Sequence, residues 1–338
     1  MPTEEPFCGY TLLKVGDYYK ENINGYADIT VCFIGSIFNL FNILVFTRKN
    51  MISPVNQIFT HIAFTDLAVL LAAIPGSFIQ RIHSGGLVQE GWTFTQAIIS
   101  VTCNDLITTF HLVSVFLTVQ LTIWRYIAIA HPFEVRRWCH MKITCKVIIT
   151  GYVMCVFLAI PTYLTREIAS TSGNRKPIYT VNSTLFSLSF ITYGILGALL
   201  PAIVLTVFGL KLLITLLARK SSTSFSNTEN NMRSGKTKEV DRSIMILFTI
   251  LALFLTAEFP RAIIYLLAMI YNVRVNAMNY QCYLSLIQIF NFICYINKSL
   301  PFLGYYTMSQ QFRDTFKSLF NCSCSSQLES ISNAENCR

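Results

Sequence analysis

Charged side chains are scarce here: Asp, Glu, Lys and Arg supply 13% of the residues, about half the share found in soluble globular chains. Length alone would suit about two soluble domains, but so few solvating groups could not cover them. The scarcity is also uneven. No charge falls in Ile29–Thr47, Val147–Thr165, Pro177–Leu210 or Val275–Asn297. Asp66 alone interrupts the stretch between Lys49 and Arg81, and Asp105 alone that between Glu90 and Arg125. Ser243–Asn272 carries only Glu258 and Arg261. A helix crosses a ~30 Å hydrocarbon core with about 20 apolar residues. These blocks therefore predict an all-α bundle of seven membrane-spanning helices, at residues 27–47, 55–79, 94–127, 143–165, 185–216, 242–271 and 281–306.

Other absences narrow the function. No basic-then-apolar leader opens the chain, so orientation must be read from the loops. No internal repeat is visible, which weighs against inverted-repeat transporters. The histidines (His61, His83, His111, His131 and His140) are dispersed, whereas a zinc hydrolase of the bilayer needs His and Asp ligands that converge. No enzyme activity, cofactor or metal is expected. The basic residues form no continuous stripe, so nucleic acid is not an expected partner.

What basic charge there is lies mostly on one side. With the N-terminus outside, the cytoplasmic segments hold 16 of the 26 Lys and Arg and the extracellular ones seven. The positive-inside rule then favours a multi-pass protein of the plasma membrane, N-terminus extracellular. The basic face accounts for the net charge of +9 and meets anionic lipid and cytoplasmic partners. Trp92, Trp124 and Trp138 are expected near the interfaces, where Trp prefers to sit. The division of the chain is an extracellular tail (1–26), the bundle (27–306), an interfacial helix (307–320) and a cytoplasmic tail (321–338). In "SQQFRDTFKSLF", Phe312, Phe316, Leu319 and Phe320 recur at helical spacing beside Arg313 and Lys317, the pattern of a helix lying in the interface. Cys322 and Cys324, just beyond it, are candidate palmitoylation sites. The Ser- and Asn-rich stretch 221–231 cannot bury enough surface to fold and reads as a tether with phosphorylation sites. Asn182-Ser183-Thr184 is a glycosylation acceptor on the outer side.

Charged groups within a bilayer are functional candidates by default. Asp66 sits roughly 16 Å up helix two and Lys298 roughly 14 Å up helix seven at 1.5 Å per residue, so a buried ion pair is expected between them. A lysine side chain at that depth is too short to snorkel out. Glu258 and Arg261 flank Pro260, which removes a backbone hydrogen bond and kinks the helix. Three residues apart, the two charges share a face. With Asp105, His111, Gln288 and Asn291 they would line a cavity suited to a peptide, which carries both charges and amides.

These residues together resemble the rhodopsin-like G-protein-coupled receptors over nearly the whole chain. Asn42 in "NLFNILVF", Asp66 in "AFTDLAVLL", "RYIAIAHP", Pro201, Pro260 and "PFLGYYTMSQQF" match the family's helix motifs. "MISPVNQIFTHIAFTDLAVL", Trp124-Arg125-Tyr126, "FLTAEFPRAI" and "YYTMSQQFRDTFKSLF" look most like invertebrate myosuppressin and FMRFamide-type neuropeptide receptors. The resemblance implies an extracellular peptide ligand, a heterotrimeric G protein and arrestin at the inner face, and signal transduction without catalysis. It implies coupling and switch roles for Arg125, Tyr126, Pro260 and Tyr305. It also implies a sodium site at Asp66 with Ser114 beside it.

Three departures stand out. Trp124 replaces the acidic neighbour of Arg125, so its indole, or Glu239 or Asp241, is expected to hold the guanidinium instead. Lys298 occupies a normally small, polar position and would act as a tethered substitute for the ion. The second outer loop, Arg166–Asn182, contains no cysteine, so the family's disulfide to helix three cannot form, and a Cys8–Cys282 bond is the alternative. Ile107 stands where an amine-binding aspartate would be and Tyr295 where a retinal lysine would be, which disfavours aminergic receptors and opsins. A chemosensory serpentine receptor and a transporter or channel remain the competing readings.

Overall fold

The computed structural model describes residues 25–84, 92–131, 133–171, 174–179, 183–225, 255–268 and 277–320, with isolated positions besides. Helix α1 is Tyr26–Phe46, α2 Pro54–Ser84, α3 Phe94–Ala130 and α4 Met141–Leu164. An antiparallel hairpin of β1 (Arg166–Thr171) and β2 (Asn174–Tyr179) follows. Helix α5 runs from Ser183 to Phe225 through a π-helical segment, Phe190–Leu199. The described part of the sixth expected span, α6, covers 255–268. Helix α7 is Ala277–Ser299, continued after a break at Leu300 by Pro301–Met308, and α8 covers 310–320. Among the described residues six helices are long and apolar enough to cross a membrane, and α6 falls on the remaining charge-poor block.

Burial follows the pattern of a bundle in lipid. On α1, Phe33, Ile34, Ile37, Leu40 and Leu44 are exposed, while Asn39, Asn42 and Ser36 face inward. Ile149, Val153 and Phe157 form a similar outward stripe on α4. In water such stripes would carry the cost of exposed apolar area, about 25 cal/mol per Å²; hydrocarbon removes it. Helix α3 lies centrally, packing on α2, α4 and α5. Its first turn is fixed by a capping box, in which Gln96 N donates to Thr93 Oγ1 (3.3 Å) and Thr93 N to Gln96 Oε1 (2.9 Å). Pro301 explains the break in α7, since it has no N–H to continue the ladder and suits the first position of the next segment.

Several expectations need amendment. The second outer loop, for which no secondary structure is expected from the sequence, forms a hairpin. Helix α2 extends to Ser84 instead of ending at 79, because the Arg81 guanidinium lies 4.5 Å from the Tyr26 ring at the start of α1 and gives the extra turn a partner. Trp124 turns its indole into protein: it is 4% exposed within the main apolar core. Nor does its indole hold Arg125, because neighbouring residues of a helix point about 100° apart and no described ring lies over that guanidinium. Helix α8 turns its apolar edge toward protein as well as lipid. Phe312 is 1% exposed against Phe46, Phe302 and Tyr305, whereas Phe320 is open. Arg313 Nη1 donates to the carbonyls of Tyr306 (3.1 Å) and Thr307 (2.8 Å), capping the end of α7.

Candidate functional site

Two buried polar clusters lie on the bundle's inward faces. In the first, Lys298 Nζ lies 2.5 Å from Asp66 Oδ1 and 3.0 Å from Ser114 Oγ, while Ser114 Oγ donates to Asp66 Oδ1 at 2.7 Å. One carboxylate, one ammonium and one hydroxyl thus join α2, α7 and α3. Helix α1 is added by Asn39, whose Nδ2 donates to the Lys298 carbonyl at 2.9 Å. Removing one member of a buried pair costs about 3–5 kcal/mol, because the other is left charged and unpaired. The ammonium balances the buried Asp66 carboxylate.

The second cluster lies around the α6 proline. His111 Nε2 of α3 is 3.3 Å from Glu258 Oε2 and 3.1 Å from Arg261 Nη1. Arg261 Nη2 donates to Tyr193 Oη of α5 at 2.5 Å and to Tyr265 Oη at 3.5 Å. Cys294 Sγ of α7 lies 3.8 Å from both His111 Nδ1 and Glu258 Oε1. Glu258, Arg261 and His111 are at most 5% exposed. Local sequence brings these groups together. The π-helical segment of α5 opens the ladder ahead of Pro201, and its Gly194 and Gly197 allow close approach. A Cβ at Gly197 would come within 2.4 Å of Leu112, and one at Gly194 within 3.0 Å of Tyr265.

The cluster separates two cavities. An inner one is lined by Asp66, Lys298, His111, Glu258, Cys294 and Tyr305, among others. An outer one has Arg261, Tyr193, Tyr265, Tyr283, Phe190, Asn291 and Arg166 on its walls. Of the six residues expected to line a ligand cavity, Arg261 and Asn291 line the outer one, while His111 and Glu258 line the inner one. Asp105 is instead paired with Arg166 of β1, whose Nη2 also donates to Thr108 Oγ1 at 2.9 Å. This tie fastens the hairpin to α3 where the family's disulfide is missing. Gln288 is half-buried with Oε1 unsatisfied among the described residues. Sequence reasoning missed Tyr193 and Cys294, whose relevance comes from contacts between different helices, and Tyr265, which stands one turn from Arg261.

At the inner end, Arg125 is half-buried, with Nε lacking a hydrogen-bond partner among the described residues. Tyr126 stacks edge-on to Phe208 of α5 at 5.5 Å. Tyr305 meets Phe59 and Phe46 at 5.0 and 5.1 Å. Glu239 and Asp241, offered as partners of Arg125, lie outside the described residues, as do Cys8, Asn182, Cys322 and Cys324. Cys282, at the outer end of α7, is disulfide-bonded.

Residues 26–323 match the family described as serpentine type 7TM GPCR chemoreceptor Srw. The sex peptide receptor of Drosophila melanogaster is 23% identical over 89% of this chain and 73% of its own length. The G-protein coupled receptor dmsr-1 of Caenorhabditis elegans is 25% identical over 94% and 71%. The human B1 bradykinin receptor is 26% identical over 90% and 84%. A bundle of membrane-spanning helices with these matches has the architecture of a receptor family. The chain belongs to the serpentine Srw family of rhodopsin-like G-protein-coupled receptors.

Proposed function

We propose that the chain is a plasma-membrane receptor for an amidated neuropeptide of the myosuppressin or FMRFamide type, N-terminus outside, signalling through a heterotrimeric G protein and regulated by arrestin. The outer cavity carries this reading. It combines aromatic walls (Phe190, Tyr265 and Tyr283) with Asn291 and the Arg261 guanidinium at its floor. An amidated aromatic C-terminus needs rings to pack on and amide partners for its carbonyl and NH2 group. Relatives named for sex peptide and bradykinin support a peptide. Asp105, His111, Glu258 and Gln288 act around that pocket by positioning Arg166 and Arg261 or by meeting longer peptides. A bonded Cys282 supports the Cys8–Cys282 link, which would hold the tail over the cavity.

Ligand binding biases an equilibrium between two packings of the helices. Arg261 is joined to α3 and α5 through His111 and Tyr193, so a peptide that draws on it loads α6 at its proline. Arg125, Tyr126 and Tyr305 then rearrange to admit the G protein. A chemosensory receptor for another external ligand is the second reading, favoured by the description of the family. A panel of amidated peptides, applied to cells expressing the chain with a G protein, separates them through guanine-nucleotide exchange. A response to FMRFamide-like peptides at nanomolar concentration is expected. Silence to all of them, with a response to small odorants, would establish the second reading.

A further inference from the structure

His111, Glu258 and Cys294 come from three different helices, α3, α6 and α7, and each is fully buried. One ligand atom from each lies within 4.8 Å of the other two. Cys294 Sγ is 3.8 Å from His111 Nδ1 and 3.8 Å from Glu258 Oε1. Tetrahedral zinc with bonds of about 2.0–2.3 Å to N, O and S spaces its ligands roughly 3.5 Å apart. The two sulfur edges therefore need only a few tenths of an ångström of contraction, while the histidine–carboxylate edge, which lies within 4.8 Å, closes by a larger movement of the Glu258 side chain. All three residues also line the inner cavity, which leaves room for a fourth ligand.

A second observation bears on the same place. His111 Nε2 faces both Arg261 Nη1 and Glu258 Oε2. Arginine can only donate, so Nε2 must accept from it and cannot also donate to the carboxylate. Glu258 Oε2 is accordingly a buried atom with no hydrogen bond among the described residues. A metal on Nδ1 reverses this. It fixes the proton on Nε2 and gives the Glu258 carboxylate, one oxygen of which lacks a hydrogen bond among the described residues, a cation to bind through Oε1. Arg261 keeps Tyr193 through its other nitrogen.

We propose that His111, Glu258 and Cys294 form a zinc site that ties α6 to α3 and α7. The Cys294 thiol loses its proton to solvent as the zinc–sulfur bond forms. Asp66 and Glu258 balance Lys298 and Arg261, so zinc with one thiolate adds a single positive charge. A chloride or hydroxide in the fourth position restores neutrality. The dispersal of the five histidines hid this site, because one histidine suffices when a cysteine and a glutamate converge on it.

The test uses the purified full chain in detergent, stripped of metal, carrying Cys322→Ser, Cys324→Ser and Cys337→Ser to remove thiols of the tail. Zinc titration is expected to raise Tm and saturate at one equivalent. Cobalt(II) in its place is expected to give a near-ultraviolet thiolate charge-transfer band and tetrahedral visible bands. Cys294→Ala should lose both the Tm shift and the band. No saturable Tm shift, or a cobalt spectrum without the thiolate band, would overturn the site, as would an unchanged response in Cys294→Ala. Should that variant not fold, the cobalt spectrum of the parent chain still decides. None of these readouts depends on which ligand the receptor binds.

Discussion

The ammonium of Lys298, 2.5 Å from Asp66 and 3.0 Å from Ser114, neutralises a carboxylate that is 4% exposed. Nothing further is required to balance Asp66, so receptor stability should be indifferent to sodium. Lys298→Ser removes the tethered charge and reopens the place for an ion. That variant is expected to lose several degrees of Tm and to recover part of the loss when sodium replaces a bulky organic cation in the buffer. Equal Tm in both salts would show that the amine is not an ion substitute. At the outer cluster, Tyr193→Phe deletes a hydrogen bond to a buried guanidinium. Such bonds contribute about 1.5–3 kcal/mol, or roughly ten-fold or more in an equilibrium. Agonist potency should fall by that order while surface expression holds; unchanged potency would remove Arg261 from the ligand pathway.

At the scale of elements, close packing and the hairpin tie are what hold the cavities in shape. A Cβ at Gly35 would sit 1.9 Å from Ser299 Oγ and 2.9 Å from Leu70 Cδ1, so α1 touches α2 and α7 with no space between. Gly35→Ala should destabilise the bundle by about 1–3 kcal/mol, the usual cost of overpacking, read as a lower Tm of the purified chain. The hairpin is fastened by Arg166 to Asp105 and Thr108. Asp105→Asn should speed agonist dissociation by loosening the cover of the outer cavity, and wild-type kinetics in that variant would assign the tie a structural role only. The helices were legible because runs without charge leave few alternatives. The hairpin was not, because Arg166–Asn182 lacks the cysteine that would have announced a link to α3, and strand pairing depends on contacts beyond any periodicity. The depth of Asp66 and Lys298 could be counted along two helices. The rotation that turns Trp124 into the core, and Asp105 toward Arg166, could not.

On the scale of the whole molecule, two charged clusters stacked along the bundle axis connect the outer cavity to the inner face. Tyr193 and Arg261 line the upper cavity, His111 and Glu258 the lower one, and hydrogen bonds join them. A ligand with different contacts in two packings of α6 shifts the balance between them by its differential affinity alone. In the proposed mechanism that shift would reach the G protein through Arg125. The most direct measurement is agonist-stimulated guanine-nucleotide exchange in membranes from cells expressing the chain, with agonist binding followed in parallel. The wild type should catalyse exchange on its G protein, and Arg125→Ala should bind agonist with wild-type affinity yet give no stimulation. Full stimulation by Arg125→Ala, or solute flux in place of exchange by the wild type, would contradict the account.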